Sequence, residues 1–108
     1  MKRYVVDASV AAQWLIPEPD SDKALALIAN GIERIVPDLF FAEMGNILWK
    51  RARTGELSRE QATQALQKLA AIPLTVFPVA EIMDLAFEIA TGYGRSFYDS
   101  TYLALALR

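Results

Sequence analysis

The sequence predicts an α/β fold in which a short parallel sheet is flanked by helices. Three short apolar segments, residues 3–6, 32–36 and 74–77, have the length and composition of buried strands. Segments with a helical spacing of apolar residues separate these strands, as the crossover connections of a parallel sheet require. The chain has 108 residues, of which 54% are apolar, so it has the length of one domain and enough apolar side chains to form a core.

Capping residues and helix breakers predict where the helices begin and end. Asp7 follows the first strand and is a typical N-cap, and Ser58 forms a capping box with Gln61. Pro73 ends one helix, and Gly92 is a natural C-terminal stop for another. The predicted helices cover residues 7–15, 21–30, 38–54, 59–72, 79–92 and 97–108. Because they alternate with the strands, we expect helices on both faces of the sheet.

The absence of two residue types limits the chemistry that this chain can perform. It contains no cysteine, which excludes disulfides and thiolate metal sites, and no histidine, which excludes Ser-His-Asp catalysis and imidazole ligands. Catalysis must therefore rely on carboxylates, Lys, Tyr, Ser or Thr. Carboxylate oxygens are the ligands that hard cations such as Mg²⁺ and Mn²⁺ prefer.

The charge and hydropathy of the chain limit which partners the protein can bind and where in the cell it is expected. The net charge of −2 excludes a large basic surface, although Lys50, Arg51 and Arg53 form a local basic cluster. A nucleic-acid enzyme is still compatible with this charge, because divalent cations supply positive charge at a scissile phosphate. No apolar run has the length of a membrane span, and the N-terminus lacks the apolar stretch of a signal peptide. We therefore expect a cytoplasmic protein.

Three acidic residues occupy equivalent positions in the predicted fold. Asp7 follows the first strand, Glu43 lies one turn into the helix after the second strand, and Asp99 lies at the start of the last helix. Ligands of open parallel sheets bind beyond the carboxyl ends of the strands, so we expect the three carboxylates to meet in one crevice. Helix N-termini tolerate this concentration of negative charge, and a bound cation relieves the remaining repulsion.

Each acid taken alone also has a structural interpretation. Asp7 has the position of a helix N-cap, and Asp99 has position N3 of a capping box whose N-cap is Ser96. Glu43 begins a polar stripe that continues with Asn46, Lys50 and Arg53, and such stripes are usually solvated surface. Asn46 favours a functional interpretation, because asparagine is a poor residue for the middle of a helix.

Three segments of the chain contain the acids discussed above: VVDASV at residues 5–10, PDLFFAEMGNIL at residues 37–48 and YDSTYLALA at residues 98–106. These segments resemble the successive motifs of PIN domains, most closely those of VapC-type toxins from prokaryotic toxin–antitoxin pairs. Each motif alone has low specificity, whereas three in this order and with this spacing are fairly specific. The resemblance extends over essentially the whole chain.

The resemblance implies a three-layer α/β/α fold and a divalent-metal-dependent endoribonuclease. It implies that Asp7, Glu43 and Asp99 are catalytic residues that hold Mg²⁺ or Mn²⁺, with Ser9 and Asn46 in supporting positions. It also implies an RNA substrate, a cognate antitoxin protein and a homodimer. A homodimer is independently expected from an excess of apolar side chains over what a small core can bury. These side chains include Trp14, Phe40, Phe41 and Trp49.

The chain departs from the family pattern at its C-terminus. Family members continue past the last helix into a strand and a Thr-x-Asp-like segment with a fourth acid, whereas residues 1–108 end within that helix. We expect one PIN domain whose C-terminal strands lie beyond Arg108. A shortened chain would instead suggest a non-catalytic PIN-like module that binds RNA or protein.

A phosphate-handling α/β domain of another class agrees less well with the sequence. Response-regulator receivers require paired acids after the first strand, and Asp-nucleophile phosphatases require Asp-x-Asp, but Asp7 is followed by Ala8 and Ser9. A Walker-type phosphate loop is also missing, because Gly92 and Gly94 are not followed by the Lys-Ser/Thr pair of that motif.

Overall fold

Three parallel strands form the sheet, with the second strand at its centre. In a computed structural model that describes residues 2–16 and 31–108, the strands are β1 (Lys2–Val5), β2 (Ile32–Pro37) and β3 (Thr75–Phe77), in the order β1-β2-β3. Lys2 pairs with Ile32 at one end of the sheet. All three strands run in the same direction, so their carboxyl ends share one edge.

Helices connect and cover the strands. Five α-helices lie in the described parts of the chain: α1 (Ala8–Leu15), α2 (Leu39–Arg53), α3 (Arg59–Ala70), α4 (Met83–Tyr93) and α5 (Phe97–Leu107). A 3₁₀ turn, Val79–Glu81, precedes α4. The helix predicted over residues 21–30 lies outside the described residues. No helix in the described ranges is long and apolar enough to cross a membrane.

The capping signals were correct for α1 and α3 but not for the end of α4. Ser58 and Gln61 form the predicted capping box, with both reciprocal hydrogen bonds present. The prediction that Gly92 ends α4 is wrong, because Gly92 lies inside the helix and Gly94 is its C-cap. Gly94 has a φ of 65°, the left-handed conformation that favours glycine at a helix end.

The two faces of the sheet carry separate apolar clusters. Val36 points to the face covered by α1, α2 and α3, whereas the adjacent Ile35 points to the face covered by α4 and α5. Successive side chains of a strand alternate between faces, so β2 is buried on both sides. The three-layer α/β/α architecture is therefore confirmed.

The start of α2 is fixed by contacts at the carboxyl edge of the sheet. Asp38 is the N-cap, but its side chain does not cap the helix. Its Oδ1 instead accepts a hydrogen bond of 3.0 Å from the N–H of Val79, and its own N–H donates to the carbonyl oxygen of Phe77 at 2.9 Å. These bonds join the carboxyl ends of β2 and β3, and they position the first turns of α2, which carry Glu43.

Candidate active site

Asp7 lies at the junction of β1 and α1, where it caps the helix as the sequence predicts. Its Oδ1 accepts a hydrogen bond of 2.9 Å from the N–H of Val10 and one of 2.8 Å from the hydroxyl of Ser9. Within the described residues, both hydrogen bonds that the carboxylate accepts end on this one oxygen. Capping therefore orients Asp7 and leaves its other oxygen, Oδ2, available to a ligand.

Glu43 lies in the second turn of α2 and is partly buried. Its Oε1 accepts a hydrogen bond of 2.5 Å from the hydroxyl of Tyr102, a residue of α5. This bond joins helices on opposite faces of the sheet at its carboxyl edge.

The Tyr102 hydroxyl keeps its proton in this environment. Burial raises the pKa of Tyr102 far above its usual range, and the nearby carboxylates of Glu43 and Asp7 raise it further. A hydrogen bond with the backbone of Ala8 acts in the opposite direction. Tyr102 therefore stays an uncharged hydrogen-bond donor to Glu43.

Asp99 lies in the first turn of α5, with its side chain exposed. Ser96 is the N-cap of this helix, and its hydroxyl oxygen accepts a hydrogen bond of 3.1 Å from the N–H of Asp99. Here the backbone N–H of Asp99, and not its carboxylate, takes part in the cap. Tyr102 follows three residues later, so both side chains lie on the same side of the helix.

The three acids line one cleft of about 490 Å³ at the carboxyl edge of the sheet. The residues that line it are Asp7, Ala8, Ser9, Glu43, Ile47, Arg95, Asp99, Tyr102 and Leu103. Ser9 is among them. Asn46 is not, and its side chain is exposed one turn beyond Glu43.

A comparison with known protein families identifies the family to which this chain belongs. The family described as "PIN domain" matches residues 4–108, which is nearly the whole chain. The chain belongs to the PIN-domain family. A curated relative of this PIN domain is "Ribonuclease VapC3" of Pyrobaculum aerophilum, which is 37% identical over 106 residues. The match covers 96% of this chain and 81% of that protein, so the resemblance noted in the sequence is confirmed.

Two lining residues of this PIN domain were not identified as site residues from the sequence. Tyr102 lies within the third motif, and its spacing of three from Asp99 is a signal for a shared helix face. Arg95 lies in the loop between α4 and α5 and is the one basic residue among the described residues that line the cleft. No sequence signal distinguishes Arg95 from other exposed cations.

Proposed function

We propose that this chain is a divalent-metal-dependent endoribonuclease of the VapC type, which hydrolyses phosphodiester bonds of RNA. The observation that carries the proposal is the position of Asp7, Glu43 and Asp99 around one cleft at the carboxyl edge of the parallel sheet. Membership of the PIN-domain family supports it, and so does the similarity to a protein named as a ribonuclease.

The donor atoms in the cleft fit a hard cation that keeps part of its water shell. Among residues 2–16 and 31–108, no three acids are grouped closely enough to hold one ion directly. Mg²⁺ commonly takes only one or two protein carboxylates and retains several waters, and the cleft has room for them. Asp7, Glu43 and Asp99 would hold Mg²⁺ or Mn²⁺ in this way, one or two of them directly and the others through a retained water. A cation there supplies Lewis-acid chemistry, which polarises phosphoryl oxygens and makes water a better nucleophile.

The protein groups divide the remaining tasks according to their contacts. Asp7 and Glu43 are oriented by Ser9 and Tyr102, so they are suited to hold a cation in a fixed place. The carboxylate of Asp99 accepts no hydrogen bond from the described residues. It is therefore suited to orient the attacking water and to receive its proton.

Arg95 is suited to bind a phosphate of the RNA next to the scissile bond. It lines a cleft whose other charged residues are all acidic, and it makes no ion pair within the described parts of the chain. A guanidinium presents a planar set of donors that matches phosphate oxygens. Arg95 can therefore bind one phosphate of the RNA beside the three carboxylates of the cleft.

A cognate antitoxin and a second copy of the chain are the proposed protein partners. The apolar residues that suggested self-association differ in their positions: Trp14 and Phe40 belong to the core, whereas Phe41 and Trp49 are 44% and 56% exposed. The exposed apolar surface extends to other helices, since Phe87 on α4 is 63% exposed. Apolar surface of this kind is typical of protein interfaces.

Metal-dependent cleavage of RNA tests the proposed function. The protein is expected to cleave RNA with Mg²⁺ or Mn²⁺ and to stop when EDTA is added. Asp7→Asn, Glu43→Gln and Asp99→Asn should each reduce cleavage roughly tenfold or more, because each removes one anionic oxygen donor. The matched controls Asp84→Asn and Glu60→Gln change exposed acids that do not line the cleft, and they should cleave like the parent.

Two results would contradict the proposal. One is a parent protein that binds RNA but does not cleave it with either metal, which would favour a non-catalytic RNA-binding module. The other is full cleavage by all three cleft variants, which would show that these acids serve only as helix caps or as solvent-exposed helix surface.

A further inference from the structure

Packing alone does not explain why residue 102 carries a hydroxyl. The aromatic ring alone would fill the space between α5 and α2, and phenylalanine would do this without burying a polar group. The hydroxyl instead donates to Oε1 of Glu43, and Tyr102 lines the same cleft as Asp7 and Ala8. The hydroxyl of Tyr102 therefore contacts an acidic side chain of the cleft and not the apolar core.

A neutral donor is the appropriate group to orient a carboxylate that must bind a cation. Lysine or arginine at this place would form an ion pair with Glu43 and would reduce its attraction for a metal. The tyrosine hydroxyl fixes the direction of the carboxylate and leaves its full negative charge. It occupies Oε1 only, so that Oε2 has no partner within the described residues.

We propose that Tyr102 is a positioning residue for the metal site, which holds the Glu43 carboxylate in a cation-binding orientation through a hydrogen bond from its uncharged hydroxyl. This inference rests on the proposed function, because it assigns a role toward the same cation. Tyr102 acts through Glu43 and does not itself bind the cation. Its removal is therefore expected to weaken metal binding only while Glu43 is present.

Binding of Mn²⁺ alone, measured by calorimetry without RNA, tests this role separately from catalysis. Tyr102→Phe is expected to raise the Mn²⁺ dissociation constant roughly tenfold, the scale seen when a group that orients a metal ligand is removed. The matched control Tyr98→Phe makes the same change one turn earlier on α5, at an exposed residue outside the cleft, and should bind Mn²⁺ like the parent.

A double-mutant cycle distinguishes positioning from a merely structural role. Glu43→Ala should weaken Mn²⁺ binding, and adding Tyr102→Phe to that variant should weaken it no further, because no carboxylate remains to be oriented. Unchanged Mn²⁺ binding by Tyr102→Phe, additive losses in the double variant, or a large fall in the metal-free melting temperature would each overturn the proposal. A parent that binds Mn²⁺ in the cleft without cleaving RNA would refute the proposed function and still allow this test.

Discussion

The hydroxyl of Ser9 donates a hydrogen bond to the same oxygen of Asp7 that caps helix α1. The bond is 2.8 Å long, and the capping bond from the N–H of Val10 is 2.9 Å long. Capping and metal binding are often treated as competing explanations for an acid at a helix start. In this chain they are compatible, because capping occupies Oδ1 and orients Oδ2. The two roles therefore predict different effects for different substitutions at this position.

Asp7→Asn and Asp7→Ala separate these roles. Asparagine caps a helix as well as aspartate does, so the free energy of unfolding without metal should change little. Alanine removes the cap, and it should lower that free energy by about 0.5–2 kcal/mol. Both variants should lose Mn²⁺ affinity, because both lack the carboxylate. Chemical denaturation without metal, together with calorimetric titration of Mn²⁺, measures the two effects on the same samples.

Ser58→Ala is the matched control for the loss of a cap. Ser58 caps α3 at a position that does not line the cleft. This variant should lose a similar amount of stability, about 0.5–2 kcal/mol, and keep the Mn²⁺ affinity and RNA cleavage of the parent. If Asp7→Asn bound Mn²⁺ like Ser58→Ala, capping alone would account for Asp7.

The Ser9 hydroxyl is expected to matter more for metal binding than for folding. In Ser9→Ala, the Asp7 carboxylate still accepts the capping hydrogen bond from the N–H of Val10. It loses the hydrogen bond from the Ser9 hydroxyl, which helps to fix its orientation. Mn²⁺ affinity should fall roughly tenfold, whereas the stability should fall by no more than about 1 kcal/mol. Ser9→Thr retains the hydroxyl and should bind more tightly than Ser9→Ala. Equal Mn²⁺ affinities for the parent and Ser9→Ala would contradict this role.

The fold, and the meeting of the three acids in one cleft, could be predicted from local sequence signals, while the catalytic role of these acids stays a prediction. Asp7 and Glu43 follow predicted strands, and parallel strands bring their carboxyl ends to one edge. The partner of Glu43 was not predictable in this way, because Tyr102 lies 59 positions away and reaches it only through the packing of α5. Long-range contacts of this kind depend on the complete arrangement of helices on the sheet, which no local pattern encodes.

Helix geometry also explains the position of Asn46 relative to the cleft. A residue four positions after Glu43 lies about 40° away around the helix, whereas a residue three positions after it lies about 60° away on the other side. Ile47 lines the cleft and Asn46 does not, so the cleft lies on the i+4 side of Glu43. The polar stripe in the sequence indicated the correct helix but not the correct side of it. Local sequence signals likewise could not decide whether Gly92 or Gly94 ends α4, because glycine at either position is a typical helix stop.

Self-association is expected from the apolar side chains that remain exposed. Phe41, Trp49 and Phe87 present large apolar surfaces to solvent, and a two-fold dimer is the commonest assembly that covers such surfaces. Sedimentation equilibrium of the protein without a partner, over a wide concentration range, should show a dimer. A monomer at the highest concentration would contradict the prediction and would leave these residues for a different protein partner.

Arg95 is expected to control RNA binding without controlling metal binding. Arg95→Met should raise the KM for RNA and reduce the slope of log affinity against log salt by about 0.7–1, because one phosphate contact is lost. Arg95→Lys keeps the charge but not the planar donor set, so its KM should lie between those of the parent and Arg95→Met. Mn²⁺ binding by Arg95→Met should be unchanged or slightly tighter, since a positive charge leaves the cleft.

Arg59→Met, at the exposed start of α3 and outside the cleft, is the matched control and should behave like the parent. An unchanged KM and salt slope in Arg95→Met would show that RNA phosphates are bound elsewhere on the chain.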